Sequence, residues 1–105
     1  MNNALSRTYD VAINSITQPA IFPDSLPPLI KKRWHQAVLV NTRADWKQMA
    51  QLCAITAINH FRAHDYNPRD TDFRAMCQLA RIAHLRGNKC HTEGIEQARR
   101  FDAEA

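Results

Sequence analysis

The sequence predicts a small all-α domain of three to four helices with an extended N-terminal arm. Three observations carry that expectation. The stretch from Thr42 to His64, TRADWKQMAQLCAITAINHFRAH, holds no proline or glycine and is dense in helix formers. Apolar residues recur at helical spacing there and in the stretches on either side of it. Pro19, Pro23, Pro27 and Pro28 crowd the region before, where they oppose a helix. The expected organisation is an arm over residues 1–28 and one helical domain over 29–105, since 105 residues suffice for a single modest core.

Within the arm, Arg7, Tyr9, Val11 and Ile13 alternate with Thr8, Asp10, Ala12 and Asn14, a strand-like pattern without an internal partner. Ile21 and Phe22 are expected to anchor the arm on the body. Proline is well tolerated in a first helical turn, so a short helix is expected from about Pro28 to Val40. Its apolar face would be Leu29, Ile30, Trp34, Ala37 and Val38. Asn41 and Thr42 break it from the next helix.

The central helix, from Thr42 to His64, is read as the longest and most buried. Thr42 or Asn41 can cap it; with Thr42 as cap, Asp45 sits at the third helical position near the positive helix end. One stripe holds Trp46, Met49, Ala50, Cys53, Ala57, Phe61 and His64. Leu52, Ile55 and Ile58 project elsewhere, so this helix calls for neighbours on more than one side. Asp65 to Asp72 is turn-rich. Asp70 or Thr71 can cap a third helix to about Leu85, with the stripe Phe73, Met76, Cys77, Ala80, Ala83 and His84. Leu79, Ile82 and Leu85 broaden that surface. Gly87 suits a C-terminal stop. Thr92 would then cap a last short helix to about Asp102, with Ile95, Ala98 and Phe101 or Arg99 facing the body.

The formal charge is +4, from 14 Lys plus Arg against 10 Asp plus Glu, and ten of the basic residues are arginine. That is a mild lean towards anionic partners. Three cysteines cannot form a fully paired set. Cys53 and Cys77 fall on apolar stripes, where cysteine behaves as a small buried hydrophobe. No signal-type leader or membrane-length apolar run is evident, so the cytoplasm is the expected compartment.

Chemistry-bearing constellations are sparse. His60 and His64 stand four apart, a spacing that can bind a metal, but Phe61 occupies the place where the zinc-protease motif has glutamate. There is no CxxC. A nucleophilic pairing of Cys53 with His84 or His60 is opposed by the buried stripe. Asp65, Asp70 and Asp72 fit turn and capping roles. With only Gly87 and Gly94, no glycine-rich phosphate loop exists. The expectation is no enzyme, no cofactor and no metal.

Two surfaces suit nucleic acid: Lys31, Lys32, Arg33, Arg43 and Lys47 at the first interhelix junction, and Arg74, Gln78 and Arg81 on the third helix. The helix-turn-helix pattern fits poorly, because the first helix and the link are both too long. Protein interaction has the stronger warrant, with Trp34, Trp46, Leu52 and Ile55 as interface residues. The leading expectation is a regulatory or interaction protein that forms a homodimer or binds another protein; a small DNA-binding regulator is the alternative. In size and style, without a specific motif, the chain resembles small accessory proteins of phages and integrated mobile elements.

Overall fold

The computed structural model describes residues 20–104, with side chains to residue 100. The strand-like pattern at residues 7–14 lies outside this range. Among the described residues there are three helices and no strand: α1 (Pro28–Val40), α2 (Arg43–Ala63) and α3 (Thr71–Glu104). The expected all-α class is what forms.

The described part of the arm folds onto the body. A turn from Pro23 to Leu26, closed by Leu26 N–H donating to the Pro23 carbonyl at 3.0 Å, delivers Leu26 into the core. The Phe22 ring meets Trp34 edge-on, with centroids 5.9 Å apart. Ile21 does not anchor the arm; its side chain points to solvent. Pro28 opens α1 within its first turn, where the missing N–H costs no hydrogen bond. Ile30, Trp34 and Ala37 form its buried face, while Leu29 and Val38, expected there, are exposed.

Asn41 ends α1 in the left-handed conformation (φ 52°, ψ 47°), and its N–H returns to the Ala37 carbonyl at 2.8 Å. Thr42 caps α2 as expected: its hydroxyl accepts from Asp45 N–H at 3.2 Å, and the Asp45 carboxylate turns back to the same hydroxyl. The two-residue corner is pinned by Trp46, whose indole N–H donates to Asn41 Oδ1 at 2.9 Å. Trp46, Met49, Cys53 and Ala57 are the buried stripe of α2.

Helix α3 runs antiparallel to α2. Asp70, just before α3, reaches His60 near the end of α2, and Lys47 near the start of α2 reaches His84 and Asn88. The stop expected at Gly87 does not occur, and one 34-residue helix replaces the two expected. Gly87 is buried where α2 crosses, and a Cβ there would lie 3.2 Å from Lys47 Cε and 3.3 Å from Trp46 Cβ. Glycine serves close approach here, not helix exit. Thr92, expected as a cap, instead bonds its hydroxyl back to the Asn88 carbonyl at 3.1 Å inside the helix.

The buried side of α3 is also rotated from the expected stripe. Met76, Leu79, Ile82 and Ala83 are buried, whereas Cys77 and His84 are exposed. Leu79 and Ile82 carry far more apolar area than a thiol and an imidazole, and burial follows area. At 1.5 Å per residue, α3 exceeds α2 by about 20 Å. Its end therefore projects: residues 91–100 are all exposed, and Ile95, Ala98 and Arg99 do not face the body.

Candidate functional site

The core separates the residues singled out for interaction. Trp34 and Trp46 pack edge-to-face at 5.3 Å, with only 2% and 1% of their surface exposed. Neither can anchor a partner from the surface. Arg86 lies over both rings, its Cζ 5.0 Å from the Trp46 centroid and 5.6 Å from that of Trp34. Burial lowers its pKa from the ordinary arginine value. Leu52 is half-buried and Ile55 is exposed, as is Ile58, which shares the outer side of α2. Val38, Leu39 and Val40 add an exposed apolar edge at the end of α1. Between α1 and α2 runs a cleft of about 360 Å³, with Ala37, Val40, Met49 and Leu52 as its apolar lining and Arg33, Gln36, Asp45 and Gln48 as its polar one.

The basic residues do not form one surface. Lys31, Lys32 and Arg33 are exposed but consecutive, so they fan around α1 at about 100° intervals. Lys47 is a strap between helices: Nζ donates to His84 Nδ1 at 3.1 Å, Asn88 Oδ1 at 2.5 Å and the His84 carbonyl at 3.4 Å. Its donors serve the fold, not a phosphate. Arg43 is exposed, with Nη1 3.5 Å from His91 Nδ1. On α3, Arg74 and Arg81 are exposed, seven residues apart on the same side, with Gln78 half-buried near them.

A third grouping was only half legible in the sequence. His60 and His64 stack with ring centroids 4.0 Å apart and planes inclined by 21°. His60 Nε2 lies 3.0 Å from Asp70 Oδ1. The same carboxylate oxygen accepts the Phe73 N–H at 2.9 Å, capping α3. That backbone bond, with the hydrogen bond and charge of His60, holds the Asp70 carboxyl below its usual range against partial desolvation. The link is a tight turn with Asp65 and Tyr66 both left-handed (φ 59° and 55°). Tyr66 N–H donates to the Phe61 carbonyl at 2.9 Å, and the Phe61 ring packs on Tyr66 and Phe73.

No family model matches this chain, and neither does any curated protein or solved structure.

The three thiols are free and differ sharply in access. Cys77, expected to be buried, is exposed. Cys90 lies 3.4 Å from the Asn41 carbonyl and 3.5 Å from its side-chain oxygen. Cys53 is completely enclosed, and desolvation pushes its pKa up to about 11. A thiol so raised is a poor nucleophile. Under native conditions iodoacetamide should label Cys77 and spare Cys53, as read by peptide mass spectrometry. The same shift predicts an alkaline limit. Above the unfolded value near 9, the unfolded chain loses the Cys53 proton while the folded chain keeps it. Stability is intact below that pH and falls as pH rises towards 11, by about 2 kcal/mol from this group. Urea melts of wild type and Cys53→Ala at pH 8 and 10.5 check it: the variant should lose less stability on going alkaline.

Proposed function

We propose that this chain is a non-enzymatic interaction protein whose first partner is a second copy of itself, bound through the outer face of α2. One observation carries the reading. Ile55 and Ile58 stand 56% and 48% exposed on a helix with no charged residue from Gln48 to Asn59. Interface cores are depleted of charge in this way. A two-fold contact sets a patch against its own copy, so a charged stripe would repel itself and this one does not. Ala54, also exposed, allows close approach of the partner helix. Leu52 and Val40 extend the apolar surface into the neighbouring cleft. Regulation through such surface contact is the role this proposal assigns to the chain. The three unpaired thiols fit a cytoplasmic setting. Among the described residues no helix is long and apolar enough to cross a membrane.

Size-exclusion chromatography with light scattering tests this. The expected mass is twice the 12.1 kDa of one chain. The double variant Ile55→Glu/Ile58→Glu should run as a monomer with unchanged helicity, because both side chains are outside the core. A wild-type protein that stays monomeric throughout a wide concentration series rejects the reading.

A second reading, a small DNA-binding regulator, has its own support. From Phe73 to Thr92, α3 carries Arg74, Arg81, Arg86 and Lys89 and no acidic residue. Mixed duplex DNA added to the same experiment at two salt concentrations separates the readings. A complex that weakens steeply with salt and is lost in Arg74→Ala/Arg81→Ala favours this one. Absence of a complex at low salt removes it.

A further inference from the structure

We infer that His60, His64 and Asp70 bind a divalent transition-metal ion of the zinc, cobalt and nickel class, with three protein ligands and one position left to water. The sequence alone pointed to no metal, because the histidine pair lacks the glutamate of the zinc-protease motif. The fold supplies a third ligand, Asp70, from the residue that caps the next helix. One ligand atom from each residue lies within 4.8 Å of the others.

The distances suit a small ion. Bonds of 2.0–2.2 Å in tetrahedral geometry place neighbouring ligand atoms about 3.3 Å apart. His60 Nε2 and Asp70 Oδ1 are already 3.0 Å apart. They need to separate by only a few tenths of an ångström. His64 stands on the same side one turn later, its ring nearly parallel to that of His60, and is open to solvent. It can swing in from the surface, which gives the ion an entry path. The donor set also selects the class. Two imidazoles with one carboxylate suit zinc, cobalt, nickel and copper, whereas calcium and magnesium demand oxygen.

Two of the three ligands are already held. The Phe73 N–H fixes the Asp70 carboxylate, and His60 is largely buried between the helices. The tight turn at Asp65 and Tyr66 is held by the Phe61 carbonyl and by aromatic packing, so ordering the loop adds little cost. On binding, the ion takes the place of the proton shared between His60 Nε2 and Asp70. That proton passes to the other ring nitrogen or to water. The ion then ties the last turn of α2 to the first turn of α3. All three ligands come from one chain, so the site does not depend on self-association.

Cobalt(II) is the probe, added to the full chain and followed by its visible absorption, with zinc as competitor. Wild type should develop the bands of a low-coordinate cobalt centre, which zinc abolishes. His64→Gln should weaken binding at least about tenfold without altering the fold, because His64 is exposed. Asp70→Asn should do likewise while keeping the helix cap, since asparagine caps as well as aspartate. Cys77→Ser should change nothing. Equal cobalt affinity in wild type and His64→Gln overturns the assignment. So does loss of binding in Cys77→Ser, which would place the ion on a surface thiol.

Discussion

Trp46→Ala is expected to cost about 3–5 kcal/mol, a large part of the stability of a domain this size. Trp46 joins every part of the body. Its ring meets Trp34 of α1 edge-on, lies under the Arg86 guanidinium of α3, and is 1% exposed. Its N–H ties the α1–α2 corner through Asn41. Truncation removes the apolar area, leaves a cavity, takes away one of the two rings under the half-buried Arg86 and breaks the indole bond to Asn41. Trp46→Phe separates these contributions. It keeps most of the packing and loses the indole hydrogen bond, so its cost should be nearer 1–2 kcal/mol. Urea unfolding followed by far-ultraviolet circular dichroism measures both. A Trp46→Ala loss below about 1 kcal/mol would mean that the corner does not organise the core.

The corner shows what kind of feature a sequence makes legible. Thr42 and Asp45 stand in register for a reciprocal cap, and Asn41 is a residue that tolerates left-handed backbone, so the α1–α2 break could be read locally. The buried stripe of α2 was legible in its spacing: Trp46, Met49, Cys53 and Ala57 recur one turn apart, with Leu52, Ile55 and Ile58 offering a second apolar side. On α3 two faces competed. The stripe through Cys77 and His84 is regular, but the neighbouring one through Leu79 and Ile82 wins by apolar area. Spacing alone could not rank them.

The metal-ligand cluster lies between these cases. The i, i+4 pair His60 and His64 is visible in the sequence, and Asp70 is visible as a cap. Their meeting depends on a turn in which Asp65 and Tyr66 both adopt positive φ. Aspartate does so readily, but an aromatic residue rarely does. Nothing at Tyr66 announces the turn except its later contact with Phe61. The tryptophans failed in the opposite sense: aromatic enrichment at interfaces raised them as anchors, while enclosure by three helices absorbed both.

Gly87 carries the second large prediction. A glycine after Leu85 and Arg86 looks like a helix stop, but no proline or turn cluster follows it, and the helix continues. Its reason for being small is lateral. A Cβ would meet Lys47 Cε at 3.2 Å, Lys47 Cδ at 3.3 Å and Trp46 Cβ at 3.3 Å. The lysine methylenes can yield, but Trp46 Cβ is fixed to the α2 backbone. Gly87→Ala therefore sets about 1 kcal/mol of helix propensity against a tight contact and should come out near neutral. Gly87→Leu cannot be absorbed. It must push α2 from α3 at the point where Lys47 reaches His84 and Asn88, and should cost about 3 kcal/mol. Gly94 supplies the control, because a Cβ there meets nothing within 4 Å. Gly94→Ala gains propensity alone and should raise the helicity of the projecting end of α3. If Gly87→Leu were as well tolerated as Gly94→Leu in the same urea melts, the two helices would not be in contact at Gly87, and the continuous α3 would need another cause.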